Sequence, residues 1–154
     1  MQTSNTIANL SKALLAAQLE MPHPKKNAQN PHLRNKFADL PGVIDTIKTV
    51  MNKHGIVVVQ GVSGTSPKNS DEQQDVCVST RLIHGESGEW LEDEVWQTID
   101  GAKGMNLSQS IGSAITYLRR YSISAMAFVA SEPDNDGNEG KGSKTPMSAE
   151  NFDL

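Results

Sequence analysis

Cysteine is almost absent from this chain. Of 154 residues only Cys77 carries a thiol, which excludes an internal disulfide framework and any zinc site built from several cysteines. Aromatic residues are scarce at 5%, and hydrophobic residues reach only 36%, below the roughly 45–50% common in globular chains on a count that includes glycine. The 12 glycines close most of that gap, so one modest core is within reach. No run approaches the roughly 18 apolar residues needed to cross a bilayer. Lys12 interrupts the only apolar block near the start, so no secretory leader is expected. These absences predict a soluble intracellular protein with no membrane partner.

The arrangements that carry catalysis are missing too. His23, His32, His54 and His84 show no metal-ligand spacing. Gly137–Thr145 has the composition of a phosphate loop, but Gly142-Ser143-Lys144 breaks the required Gly-Lys-Ser/Thr order and no strand precedes it. No Ser/His/Asp or Cys/His grouping assembles. Glu86, Glu89, Glu92, Asp93 and Glu94 form an acidic cluster able in principle to hold a divalent ion; a solvated strand face or an intersubunit salt-bridge surface is the commoner role of such a cluster and the one expected here. The expectation is a protein that is not an enzyme and needs no cofactor.

What is present is segregated charge. The formal total is −4, yet residues 1–69 carry +5, residues 70–99 carry −7, residues 100–131 carry +2, and residues 132–154 hold the remaining −4. A neutral body with opposed patches and an acidic tail has different partners from a uniformly acidic protein.

Periodicity predicts an α+β chain of order α–α–β–β–β–α, with a three-stranded antiparallel β-meander packed with helices. Ile7, Leu10, Leu14 and Leu15 place a first helix over Ser4–Glu20, stopped by Pro22 and Pro24. A second helix starts near Pro41, buries Val43, Ile44, Ile47, Val50 and Met51, and is capped by Gly55. Strands follow over Ile56–Val62, Val76–Ile83 and Glu89–Ile99, the last two joined by Gly85-Glu86-Ser87-Gly88. A helix from about Leu107 to Tyr121 and a short apolar segment to Ala130 complete a core of residues 1–131. Residues 132–154 are polar and of low complexity, the composition of a disordered tail.

The last helix carries the strongest functional pattern. Ile111, Ala114, Ile115 and Leu118 fall on one stripe, whereas Gln109, Ser113, Thr116 and Arg120 gather within about 60° on the other side. Hydrogen-bond donors beside a guanidinium suit a phosphodiester backbone, although an ordinary solvated helix face has the same residue types. Lys25, Lys26, Arg34 and Lys36 lie on a proline-broken segment able to follow a nucleic-acid strand. Phe37, Trp90, Trp96 and Tyr117 are the rings on which bases could stack; both tryptophans also fit half-buried sheet positions.

Two segments together resemble the ERF (essential recombination function) family of phage single-strand annealing proteins. One is Asn30-Pro-His-Leu-Arg-Asn-Lys-Phe-Ala-Asp-Leu40, which leads into the helix ending His54-Gly55. The other is Gln109-Ser-Ile-Gly-Ser-Ala-Ile-Thr-Tyr-Leu-Arg-Arg-Tyr121, followed by Asp134-Asn-Asp-Gly137. The similarity spans roughly residues 27–137, the Gly85–Trp90 hairpin included. Phe37 stands where the family usually has Tyr, and Asn135 interrupts an acidic run.

The resemblance implies a fold related to the eukaryotic strand-annealing mediators. It also implies a homo-oligomeric ring or helical filament that holds single-stranded DNA and anneals it to a complement without ATP, in the cytoplasm of a bacterial host cell. The family motif falls on Gln109, Ser113, Thr116, Tyr117, Arg119, Arg120, His32, Arg34, Lys36 and Phe37, to which the basic segment adds Lys25 and Lys26 as DNA contacts. The alternatives are a single-strand-binding protein that protects without annealing, and an adaptor whose Arg-rich helix serves only assembly. Residues 86–94 are expected to meet a basic surface of a neighbouring subunit. The end Ala149-Glu-Asn-Phe-Asp-Leu154 resembles the acidic tip by which bacterial single-strand-binding proteins recruit partners; such a tip would dock on a host protein or compete with DNA for the basic groove, while a solubilising disordered end is the commoner role of such a sequence. A phage exonuclease or a host single-strand-binding protein is the candidate protein partner.

Overall fold

The computed structural model describes residues 1–29, 36–64, 73–100 and 106–131. The expected tail, 132–154, lies outside them. In chain order the elements are β1 (Gln2–Thr3), α1 (Ala8–Glu20), β2 (Ala28–Gln29), β3 (Lys36–Phe37), α2 (Leu40–Lys53), β4 (Ile56–Gly64), β5 (Gln73–His84), β6 (Trp90–Asp100) and α3 (Leu107–Met126). Among the described residues the chain is α+β, with three helices, a four-stranded sheet of order β1-β6-β5-β4 and a two-stranded ladder, β2-β3. All its strand pairs are antiparallel.

Four sequence expectations need correction. The sheet has four strands because Gln2–Thr3 pairs with Leu91–Glu92, and this draws residues 2–4 into extended backbone. For the same reason α1 begins at Ala8 rather than Ser4: the Ser4 N–H donates to the Trp90 carbonyl at 3.0 Å. The basic segment is not wholly irregular, since Ala28–Gln29 and Lys36–Phe37 pair across it. Finally, α3 continues five residues beyond Tyr121 to Met126. Ser122, Ile123 and Ser124 are buried in succession, and a helix covered over most of its circumference, with two serines among its buried positions, loses the apolar period that marks an amphipathic one.

Each helix and strand has a local cause. Asp39 caps α2 by accepting the Gly42 N–H at 2.9 Å, and Gly55 takes φ +72° just past its end, a conformation open to glycine without penalty. Val43, Ile47 and Met51 of α2 are wholly buried. Along β5, Val76, Val78, Thr80 and Leu82 face the helices. Leu82 sits between Val58 of β4 and Leu91 of β6 in register. The apolar interior has two clusters. One joins Leu10 and Ala17 of α1, the α2 stripe, Ile56, Leu82 and Ile123; the other joins Val76, Val78, Ile99, Ala114 and Leu118 beneath the first half of α3.

A polar layer lies between them. Thr80 and Ser122 are buried with their hydroxyls 2.6 Å apart. The Gln60 side-chain amide donates to Thr80 Oγ1 and to the Arg119 carbonyl, both at 3.0 Å, while Arg119 Nε donates to Gln60 Oε1 at 3.1 Å. This layer pins α3 to β4 and β5 at one register, because a slip would strand buried polar groups without partners.

Glu89 resolves part of the acidic cluster. Its carboxylate is buried at the start of α1, where it accepts from the N–H groups of Asn9 (2.7 Å) and Leu10 (2.8 Å), from Asn9 Nδ2 and from Thr6 Oγ1. The Leu10 N–H bond is the main cause that holds its pKa below the usual carboxylate value, against the opposing effect of burial. Ile7 offers no side-chain cap, so the β5–β6 turn supplies one, aided by Gly88 at φ +70°.

Candidate nucleic-acid interface

The β2-β3 ladder packs against the middle of α3 through Arg120. The guanidinium carbon lies 4.5 Å from the Phe37 ring centroid, 5.2 Å from Tyr121 and 5.8 Å from Tyr117, all within the roughly 6 Å reach of cation–π attraction. Tyr117 and Tyr121, one helical turn apart, have centroids 4.1 Å apart. Arg120 is therefore half-buried and draws a basic segment distant in sequence onto the helix.

The same corner is tied from below. Asn27 Nδ2 donates to Asp39 Oδ1 at 2.9 Å, and the Asp39 N–H donates back to Asn27 Oδ1 at 3.0 Å. The Asn27 bond, then the Gly42 N–H and the Arg120 charge, hold the Asp39 carboxyl below its ordinary pKa. The Ala38 N–H donates to the Ser131 carbonyl at 2.9 Å, which fastens the chain after α3 to the strand leading into α2.

The twelve sequence-chosen residues fall into four groups. Lys25, Lys26 and Lys36 are exposed on or beside the ladder, and Phe37 lies half-buried under Arg120. His32 and Arg34 are outside the described residues. Gln109, Ser113, Thr116 and Tyr117 share the exposed side of α3, but two of them have local duties. Gln109 closes a capping box with Asn106, and Thr116 Oγ1 donates to the Gly112 carbonyl at 3.0 Å. Arg119 points the other way, into the polar layer, and lines a recess of about 330 Å³ with Lys48, Asn52 and Ile44 beside β4.

Beside the exposed side of α3 runs an open groove of about 630 Å³ between the helix and β6. Trp96, Thr98, Ser110, Ser113 and Tyr117 are among its lining residues. Trp96 is 55% exposed and Tyr117 49%, so both side chains are available to solvent. Trp96 was legible as a ring platform but not as a groove residue, since strand alternation does not say which helix lies alongside. The polar layer was missed altogether. Its sequence signals were Gln60 breaking the inward alternation Ile56, Val58 and Thr80 breaking the inward row Val76, Val78, Leu82.

A family model described as the ERF superfamily matches residues 10–151. The chain belongs to the ERF superfamily. No curated protein matches it. The family assignment implies a role in DNA recombination by single-strand annealing, and ERF proteins are generally non-catalytic. Both motif segments fall inside the match, and Arg120 on Phe37 is where they touch. Among the described residues no helix is long and apolar enough to cross a membrane.

Proposed function

We infer that this ERF-superfamily protein binds single-stranded DNA and anneals complementary strands without ATP, working as a homo-oligomeric ring or helical filament in phage recombination in the bacterial cytoplasm. The observation that carries the reading is the Arg120–Phe37 contact, which joins the basic segment, with Lys25, Lys26 and Lys36 exposed on or beside its ladder, to the helix whose exposed side carries Gln109, Ser113, Thr116 and Tyr117. An annealing protein has to neutralise phosphates while leaving base edges open to a second strand. Lysines on and beside the ladder do the first, since ammonium groups need only reach backbone oxygens. Ser113 and Thr116 add hydroxyl contacts, and the family motif adds His32 and Arg34 as further DNA contacts. Trp96 and Tyr117 offer stacking faces, which hold a base without occupying its pairing edge.

In this reading Arg120 and Phe37 position the ladder, Arg119 sets the depth of α3, and residues 1–131 form the working core. The acidic tail, residues 132–154, recruits a phage exonuclease or a host single-strand-binding protein.

The test follows energy transfer as two complementary labelled oligonucleotides pair, with protein and without nucleotide. The full chain should accelerate pairing. A Lys25→Ala/Lys26→Ala/Lys36→Ala chain should bind more weakly and lower the slope of log affinity against log salt by about 2, at about 0.7 for each phosphate that is no longer neutralised. Tight binding without acceleration would instead make this a protecting single-strand binder.

A further inference from the structure

The sheet ends on an uncovered strand. Among the described residues no strand pairs with the outer edge of β4, nine residues long, and Val57, Val59 and Val62 along it are each about half-exposed. An unpaired edge with apolar side chains accepts an added strand unless something covers it. Beside that edge lies the recess of about 330 Å³ that β4 shares with α2 and α3. Its walls are of two kinds. Ile44, Val58 and Ile123 make it apolar, whereas Lys48 and Arg119 bring two cations to it. Arg119 Nε is engaged by Gln60 Oε1, and no ion pair reaches either cation among the described residues. A recess with apolar walls and two unneutralised cations suits a ligand that is both apolar and acidic.

The sequence supplies such a ligand in Glu150-Asn151-Phe152-Asp153-Leu154. In an extended conformation Glu150, Phe152 and Leu154 share one side, and Asn151 and Asp153 the other. The first side therefore offers a carboxylate and two apolar groups together. The recess has the matching set on one side of the sheet, since Val58 is in the helix-facing row of β4 and Lys48 and Arg119 stand on the helices packed there. Reach is sufficient. Residues 132–149, eighteen in all, separate Ser131 from Glu150, and Ser131 is fastened to Ala38 just ahead of α2. Lys48 lies about 12 Å along α2 from Leu40, at about 1.5 Å per residue. A polar linker of eighteen residues has a root-mean-square reach of about 23 Å. The segment is thus held at the recess at an effective concentration on the order of millimolar, an advantage that no free acidic peptide shares.

We propose that Glu150–Leu154 docks along the β4 edge of its own chain, with Phe152 in the recess and Glu150 against Lys48 and Arg119. The docked segment covers the open edge, and a protein partner has to outcompete the recess to take hold of it. A phosphodiester strand fits the recess less well, because it would set charged oxygens against Ile44, Val58 and Ile123. The inference goes beyond the function proposed above: it gives the tail a resting position on the body and stands whether or not the protein anneals DNA.

The experiment places a benzophenone amino acid at position 152 of the full chain and maps its photocrosslinks by mass spectrometry, in an equal mixture of isotopically light and heavy protein. Crosslinks should concentrate on Ile44–Asn52 of α2 and Val57–Gln60 of β4, and should join light to light and heavy to heavy. At about 0.15 M salt, Lys48→Glu and Glu150→Lys should each lower the yield at those positions about threefold to fivefold. The two combined should restore it to within about twofold, because the charges again match. Asp153→Lys, a change on the opposite side of the segment, should leave the yield within about twofold. Glu150→Lys alters the tail alone, so its loss of yield is not a loss of the body's fold. Crosslinks scattered over the surface, single reversals without effect, or a combined variant as weak as the singles would overturn the proposal. Light-to-heavy crosslinks would give the recess to a neighbouring copy's tail and overturn docking within one chain. Scattered crosslinks together with protection of Lys48 from amine labelling by a single-stranded oligonucleotide would make the recess a DNA site instead.

Discussion

Replacing Phe37 and Arg120 singly and together isolates the contact that joins the two motif segments. All three rings around the guanidinium lie within about 6 Å, with Phe37 nearest at 4.5 Å. Such contacts contribute about 0.5–1 kcal/mol when exposed and about 2 kcal/mol when desolvated. The site is half-buried, so the Phe37 contact alone should contribute about 1 kcal/mol. Phe37→Leu keeps apolar bulk while removing the ring face, and Arg120→Met keeps the stem while removing the cation. A double-mutant cycle from urea unfolding of the two single variants and the pair should therefore give a coupling of about 1 kcal/mol. Arg120→Lys, which retains charge without a planar stack, should recover less than half of the Arg120→Met loss. A coupling below about 0.3 kcal/mol, inside the range where independent sites simply add, would refute the reasoning. Single-strand affinity of the same variants assigns the role of Arg120. Equal losses in Phe37→Leu and Arg120→Met mark a positioning residue, and a much larger loss in Arg120→Met marks direct contact with phosphate.

Thr80→Val should destabilise by about 1–3 kcal/mol in chemical denaturation, since it leaves the buried Ser122 hydroxyl and the Gln60 amide short of a partner, and adding Ser122→Ala should cost little more. Leu82→Ala, at a wholly buried position between Val58 and Leu91, should cost about 2–5 kcal/mol by the same measurement. Glu89→Gln should be less stable than the full chain at neutral pH. Because the folded pKa of Glu89 is lowered, its contribution is complete above the ordinary value of 4.5 and is lost as pH falls through the folded value, so melting temperatures of the two chains should converge in acid. Phe128→Gly should stabilise by about 0.5–1 kcal/mol in thermal melts, because Phe128 ends α3 at φ +59° with its ring 84% exposed, and glycine takes that conformation without strain.

Legibility in the sequence followed the range of the interaction. Local signals worked where one element decides the outcome. The cap and stripe of α2, the turn at Gly85–Gly88 and the alternation along β5 depend on neighbours a few residues away. They failed where a distant partner decides. Glu89 read as one more acid on a solvated strand, yet it is a helix cap, because α1 lies over the turn 79 residues away from Leu10 in sequence. Gln2–Thr3 has no strand pattern of its own and pairs only because β6 offers an edge. The resemblance named the right family, but no motif spacing could say that Phe37 and Arg120 touch.

The helix face of α3 marks the limit of periodic reasoning most clearly. Thr116 and Ile123 are seven residues apart and so project within about 20° of each other. Thr116 is exposed, while Ile123 is buried against α2 and the strand core. One direction on one helix is thus solvent in its first half and interior in its second. Arg120 stands at the crossing, which is why its pattern matched a solvated row while its guanidinium is half-buried over Phe37. Which residues share a face follows from 3.6 residues per turn, but what that face meets follows from the elements that close over it. In this chain the polar layer of Gln60, Thr80 and Ser122 sets that closure by holding α3 at one depth and rotation. A substitution there should alter the presentation of Tyr117 and Ser113 without touching either, so the network belongs to the working surface as much as to the core.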